Sequence, residues 1–375
     1  MRILFIHTKA FLCVKILALA SRFGLYGQAI AAHYISHELG RRGHKVILRV
    51  LGPSSKNFDT FKDPAYKLEL KPTTVHEPST GLHVIGQVMD LLRLQKAQDF
   101  DVVLCLDAGM AAVLGAAFGK QAGLNVSVMA WGNELDGLNS AQKGMLRNCD
   151  LIMPVSRWAK ARLIEADFDE TAMKVLPPGV AQELFSPLKN RPKEFGIVTV
   201  IKLQKGAGVE VLIDVLKVLL DRGQDAFLTV VGTGPEAKAL KARTKKAMLE
   251  GSVKFLGAVP HAQMPEVYRK HRVFALVPRA VPGVGSPDVS LAMMEAASCG
   301  LGIVGTELGG IADTLRACNG TKVPTEAATK MAEIFERVGG KLSIVTATEG
   351  EYGRSRSWAE AVEELEGILE ELIYD

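Results

Sequence analysis

Short runs of β-branched and apolar residues alternate with helical stretches along this chain, stop at a proline cluster near its middle, and then begin again. Few architectures tolerate that rhythm. Parallel strands cannot be joined by tight turns, so each needs a helical crossover, and the helices then bury both sheet faces. In the first half the strand candidates are Arg2–His7, Lys45–Val50, Val102–Leu106, Val126–Ala130 and Leu151–Val155. Helical stretches at Gln28–Arg42, Leu82–Gln98, Met110–Lys120 and Arg157–Ala166 lie between them. Arg42-Gly43-His44 is a helix stop, with a cation in the last turn and glycine just beyond it.

Leu176–Pro192 carries Pro177, Pro178, Gly179, Pro187 and Pro192, which neither helix nor strand accommodates, so it reads as a linker. The alternation resumes with strands at Phe195–Ile201, Phe227–Val231, Val253–Leu256 and Val273–Val277. Helices are expected at Val209–Arg222, Pro235–Leu249 and Met264–His271, with an acidic helix from Trp358 to Ile373 at the end. The fold class is therefore α/β, with two doubly wound, Rossmann-like domains facing across a cleft. We expect domains at 1–185 and 193–350, with the helix at 358–375 packing back on the first. At 375 residues the chain is long enough for two cores.

Composition narrows the function classes. The chain is 48% hydrophobic and 23% charged, which excludes disorder. A net charge of +4 with no long basic run gives no argument for nucleic acid. Five cysteines, odd in number and without a CxxC pair, read as reduced residues of a cytoplasmic protein. The apolar run Phe11–Ala20 ends in Ala18-Leu19-Ala20, which mimics a processing site, but Lys9 and Lys15 bound and interrupt it, so a cleaved leader is not expected. No segment has the roughly 18–20 apolar residues of a membrane span, so the expectation is a soluble or at most peripheral protein. His33 and His37 lie one helical turn apart with no evident third ligand, so no metal is expected. GxSxG, Walker and HExxH motifs are absent.

One segment stands apart: Ser286–Gly310, SPDVSLAMMEAASCGLGIVGTELGG. It places Glu295 inside an apolar helix that closes on Cys299-Gly300, followed by a short β segment at Ile303–Gly305. A carboxylate is almost never buried alone, so Glu295 needs a partner, and a ligand such as the hydroxyls of a nucleotide sugar would serve. Two glycine turns are of interest. Gly232 and Gly234 follow a strand and precede Pro235, and Gly24 and Gly27 precede the first long helix. Each turn permits backbone approach to a phosphate, and each equally fits a plain structural turn. Lys202 and Lys205 follow the first strand of the second half, where open α/β sheets bind ligands, and their ammonium groups would offset the charge of a departing diphosphate.

Taken in order, these pieces resemble a retaining glycosyltransferase of the GT-B fold, in the large family four. The resemblance includes the glycine-led helix ending in RRGHKV, the WGNEL segment after Ala130, CDLIMPVSRWAKARL and VLPPGVAQELFSP. It continues through VVGTGPEAKAL, VKFLGAVP and AMMEAASCGLGIVGTELGG. It implies transfer of a sugar from a nucleotide-diphosphate donor to a glycan, lipid or small-molecule acceptor, without a metal or other cofactor. By this resemblance Glu295 matches the second glutamate of an E-x7-E motif that holds the ribose diol. The backbone at Ser290 and Leu291 would meet the donor phosphates, Gly232 and Gly234 would line the nucleotide pocket, and Leu256-Gly257 would lie beside the base. Gly27 would approach the diphosphate from the first domain, and Glu134 would stand near the transferred sugar or the acceptor. Expected partners are a nucleotide sugar and a glycan or lipid-linked acceptor, with peripheral contact at the inner membrane face and no nucleic acid.

The chain departs from the family pattern in four places. Pro287 occupies the first glutamate of the motif, with Asp288 next door as a shorter substitute. Lys202 stands at the diphosphate-binding arginine and loses its bidentate fork. Ala207 aligns with the partner lysine, unless Lys205 serves through a shifted loop. Trp131 takes the place of a histidine after the central strands. These departures keep open a second reading, a non-catalytic protein that binds a nucleotide sugar or a partner enzyme. A nucleotide-sugar epimerase is disfavoured because Arg2–Ala10 lacks the glycine turn that starts dinucleotide folds.

Overall fold

The computed structural model describes residues 13–21, 27–52, 64–70, 81–188, 194–324, 328–341 and 356–374. The first lobe runs β1 (Lys15–Ala20), α1 (Gly27–Arg41), β2 (Lys45–Val50), β3 (Lys67–Leu70), α2 (Gly81–Gln98), β4 (Val102–Cys105) and α3 (Met110–Ala122). It continues with β5 (Asn125–Ala130), α4 (Ser140–Leu146), β6 (Leu151–Pro154) and α5 (Arg157–Glu165). The second lobe runs β7 (Phe195–Val200), α6 (Val209–Asp221), β8 (Ala226–Val231), α7 (Ala237–Lys246), β9 (Val253–Gly257), α8 (Met264–Arg269) and β10 (Val273–Leu276). After these come α9 (Leu291–Ser298), β11 (Gly302–Gly305), α10 (Ile311–Ala317), β12 (Thr321–Lys322) and α11 (Ala328–Lys341), and the chain closes on α12 (Trp358–Tyr374).

Each lobe holds a six-stranded parallel sheet, ordered β3-β2-β1-β4-β5-β6 in the first and β12-β11-β10-β7-β8-β9 in the second. Both follow one doubly wound order, and in each the strand order reverses beside the lobe's opening strand. The expected α/β class of two Rossmann-like domains is what the chain forms.

One strand differs from the sequence reading. The opening strand was expected at Arg2–His7, which lies outside the described residues. The described strand that pairs with both β2 and β4 is Lys15–Ala20. A central parallel strand is covered on both faces and must be apolar on both. Ile16 to Ala20 meets that demand, every residue being at most 2% exposed. The run that mimics a leader is therefore sheet core. The edge strands β3 and β12 and the helices α4, α10 and α11 were not anticipated, because short edge strands carry little apolar pattern.

The lobes are joined by more than a linker. One hydrophobic core is continuous from Tyr34 and Ile35 of α1 through Phe185 to Tyr268, Met293 and Trp358. Trp358 of α12 stacks on Tyr34 with ring planes 4° apart and centroids at 5.6 Å. The proline-rich segment is docked. Val180 exchanges backbone bonds with Arg356 and Trp358, and Arg269 of α8 donates to the carbonyls of Leu184 and Ser186. Gly179 is required there, since a Cβ would lie 2.5 Å from the Ser357 carbonyl.

Helix α12 returns to the first lobe and fixes itself by a buried carboxylate. Glu366 accepts from Arg42 Nε at 2.5 Å and pairs with His44 Nε2 at 2.7 Å. His44 Nδ1 accepts the Val14 N–H, so the ring proton sits on Nε2 and points at Glu366. Removing one member of a buried pair strands the other, so Glu366→Ala should destabilise the first lobe by roughly 3 kcal/mol. A thermal melt followed by circular dichroism tests this, and an unchanged transition would remove α12 from the stability of that lobe.

Candidate functional site

The lobes meet through residues that follow the carboxyl ends of their strands, the edge where open α/β sheets bind ligands. After β5 the first lobe presents Trp131 and Gly132, and after β6 it presents Ser156 and the amino end of α5. From the second lobe come Pro287 to Leu291, after β10, and Asp313 in the first turn of α10. Gly27, the first residue of α1, faces α9 so closely that a Cβ there would lie 3.5 Å from Leu291 Cδ1. Gly27 and Leu291, both expected at the donor phosphates, are thus brought together from opposite lobes.

Besides Asp313, three carboxylates lie at or near this seam. Asp288 is 6% exposed. Its Oδ2 accepts the Gly132 N–H, and its Oδ1 accepts from Ser156 Oγ at 3.0 Å and from the Val289 N–H at 2.7 Å. Glu134 Oε2 accepts from the N–H groups of Ala108 at 3.0 Å and Trp131 at 3.3 Å. Asp107, buried, accepts from Ser21 through its N–H at 2.6 Å and its hydroxyl, and from the Gly109 N–H at 3.0 Å. Burial pushes the Glu134 carboxyl well above its ordinary value, and the charges of Asp107 and Asp288 push the same way against its two backbone bonds. Burial likewise raises Asp107 and Asp288, opposed by the hydrogen bonds each accepts.

Glu295, expected at the ribose diol, is bonded by side chains of its own lobe. It is 6% exposed, and the partner it needs is protein. Oε1 pairs with His261 Nε2 at 2.7 Å, and Oε2 accepts from the Tyr268 hydroxyl at 3.2 Å. His261 in turn packs on Phe185 and Tyr34, with ring centroids at 5.1 and 5.9 Å. A buried carboxylate in this segment therefore gives no argument for a ligand. It anchors α9 to α8 inside the shared core. Among the described residues His261 Nδ1 has no hydrogen-bond partner, which leaves the acceptor face of the ring desolvated.

The glycine turn after β8 is also explained by packing. A Cβ on Gly232 would lie 2.0 Å from the Ile201 carbonyl, and one on Gly234 would lie 2.2 Å from that of Leu203. The absent side chains admit the neighbouring loop rather than open space. Gly257 behaves differently: its φ of +70° favours glycine, and among the described residues a Cβ there would meet nothing within 4 Å. Leu256 beside it is partly buried against the shared core. Ser290 caps α9, its Oγ accepting the Met293 N–H at 3.2 Å, while its own N–H is donated to Thr314 Oγ. Lys202 and Lys205 are exposed in the loop after β7, and Ala207 is buried. The structure thus gathers Gly27, Glu134, Asp288, Ser290 and Leu291 at the seam. Sequence reasoning missed Asp107, Gly132 and Ser156, whose signal is their place just beyond strand ends, and Asp313 in the first turn of α10.

Comparison with known proteins decides the family. Residues 26–184 match the model of glycosyltransferase family 4, and residues 180–339 match that of glycosyl transferases group 1. Together the two matches span residues 26–339, and the chain belongs to the glycosyltransferases. A GDP-mannose-dependent α-(1-6)-phosphatidylinositol monomannoside mannosyltransferase of Mycolicibacterium smegmatis is 24% identical over 291 residues, 72% of this chain and 74% of that one. The gpi3 subunit of phosphatidylinositol N-acetylglucosaminyltransferase from Schizosaccharomyces pombe is 26% identical over 217 residues, 56% of this chain and 46% of that protein. Among solved structures, Anabaena HepE in complex with UDP and glucose superposes with a TM-score of 0.74 at 17% identity, covering 95% of this chain and 99% of its own. That likeness establishes the GT-B fold.

The seam acids of this glycosyltransferase give a pH prediction. The Glu134 carboxyl is raised above its ordinary 4.5 in the folded state, so its contribution to stability is full below that pH and is lost as pH climbs through the raised value. Glu134→Gln keeps an acceptor for the Ala108 and Trp131 N–H groups and removes the charge. Its unfolding free energy by urea titration should gain on wild type as pH rises from 4.5 to 8. A gain that shrinks over that interval would contradict the assignment.

Proposed function

We propose that this protein transfers a sugar, with retention of anomeric configuration and without a metal, from a nucleoside-diphosphate donor to a glycan, lipid or small-molecule acceptor. The observation that carries the reading is the match of the two lobes, in order, to two glycosyltransferase families. Donor class follows from the relatives: one is named as GDP-mannose-dependent, and HepE was solved with UDP. Two relatives are named for acting on phosphatidylinositol or its mannoside, which favours a lipid-borne acceptor. Among the described residues no helix is long and apolar enough to cross a membrane, so such an acceptor would be met from the bilayer surface.

The chemistry belongs between the lobes. The amino end of α9 at Ser290 and Leu291 offers positive dipole ends to a diphosphate, with Gly27 facing it from α1. Leu256 and Gly257 edge the space where a base would lie. Lys202 and Lys205, exposed and unburdened by desolvation, would neutralise the departing diphosphate. Lobe closure keeps water from the donor, which it would otherwise hydrolyse. Glu134 would face the sugar or acceptor. Asp288, with both oxygens committed to protein donors, is not assigned a bond to the sugar.

A screen of purified protein with UDP-, GDP- and ADP-sugars should find one whose release of nucleotide is catalysed and whose sugar appears on acceptor. Lys202→Ala combined with Lys205→Ala should lower kcat by about 100-fold or more. Wild-type turnover in that double variant would remove the lysines from the mechanism. A second reading is a non-catalytic nucleotide-sugar-binding protein, favoured by Pro287 at the first motif glutamate and the tethering of Asp288. Tight donor binding with no turnover across acceptors would establish it instead.

A further inference from the structure

We infer that Asp288 and Asp313 form a clamp between the lobes, so that Asp288 is a positioning residue that sets closure of the cleft. Two second-lobe carboxylates take three first-lobe donors. Asp288 accepts the Gly132 N–H and the Ser156 hydroxyl, and Asp313 Oδ2 accepts the Trp158 N–H at 2.9 Å. Ser156 and Trp158 belong to the amino end of α5, where backbone N–H groups lack partners within the helix and negative charge is stabilised. Ser156 Oγ is used twice, accepting from Ala159 N–H at 2.9 Å while donating to Asp288. The clamp thus caps a helix of the opposite lobe.

Both sides are built to hold it. On the first lobe, a Cβ on Gly132 would lie 2.4 Å from the Trp158 ring, so glycine is needed for the β5 loop and the α5 terminus to sit together. On the second lobe, Pro287 and Asp288 rest on the Gly309-Gly310 pair. The Gly310 N–H donates to the Pro287 carbonyl at 2.9 Å, and a Cβ on Gly310 would lie 2.3 Å from Asp288 Oδ1. Gly309, at φ +59°, would bring a Cβ within 2.2 Å of the Pro287 carbonyl. The residue that departs from the family motif therefore sits in a seat shaped to aim its neighbour at the opposite lobe. Two bonded carboxylates at this edge tie one lobe to the other.

The test reads distance rather than transfer. Spin labels at Ala97→Cys in α2 and Ala239→Cys in α7, both exposed, report lobe separation in a Cys13→Ser background, the other native cysteines being buried. Double electron–electron resonance without ligand should show one short-distance population in the parent. Asp288→Ala and Asp313→Ala should each add a longer-distance population, and Asp288→Asn, which keeps an acceptor oxygen, should restore part of the short one. Distances that match the parent in Asp288→Ala overturn the clamp. If that variant does not fold, unchanged distances in Asp313→Ala do so instead. Since no donor or acceptor is present, either result leaves the glycosyltransferase reading standing.

Discussion

Carboxylates held out of water must find donors, and at the seam of this protein they find them in backbone amides and hydroxyls. Asp288 reaches Gly132 and Ser156, Asp313 reaches Trp158, and Glu134 reaches Ala108 and Trp131. An unpaired buried charge is penalised far more than a paired one is rewarded, so these groups dictate which surfaces touch. The glycines that let loops approach answer that demand, and burial raises the carboxyls of Asp107, Glu134 and Asp288 against the bonds that meet it. Glu295 obeys the same rule deeper in the core, where His261 and Tyr268 satisfy it.

Much of the architecture was legible because parallel sheets leave a strong pattern. Central strands such as Val102–Cys105 and Phe195–Val200 are continuous apolar runs, and crossover helices such as Val209–Asp221 carry an apolar stripe. The opening strand expected at Arg2–His7 lies outside the described residues, and Lys15–Ala20, within the run that mimics a leader, supplies the strand between β2 and β4. Edge strands such as Lys67–Leu70 stayed hidden because solvent on their outer side removes the need for a pattern.

The site was legible by position and less so by role. Ser286–Gly310 was marked as the telling segment, and it does carry both the seam acid and the helix that faces Gly27. Yet a buried acid in sequence does not say whether a ligand or a neighbour answers it. His261 and Tyr268 lie 34 and 27 residues from Glu295, and Gly132 lies 156 from Asp288. Only the folded chain could name those partners. The same holds for Gly232 and Gly234, where the absent side chains admit a loop.

Membership in the glycosyltransferases rests on both lobes, each matching its own family model. Beside Pro287 the chain carries an acid that bridges the lobes, Asp288 accepting from Gly132 and Ser156. The most direct measurement is a double-mutant cycle on Asp288→Ala and Ser156→Ala, read as unfolding free energy by urea titration. A bond across the seam predicts a coupling of about 1 kcal/mol or more between the two positions. Effects that add within about 0.3 kcal/mol would mean that the acid of one lobe does not hold the other.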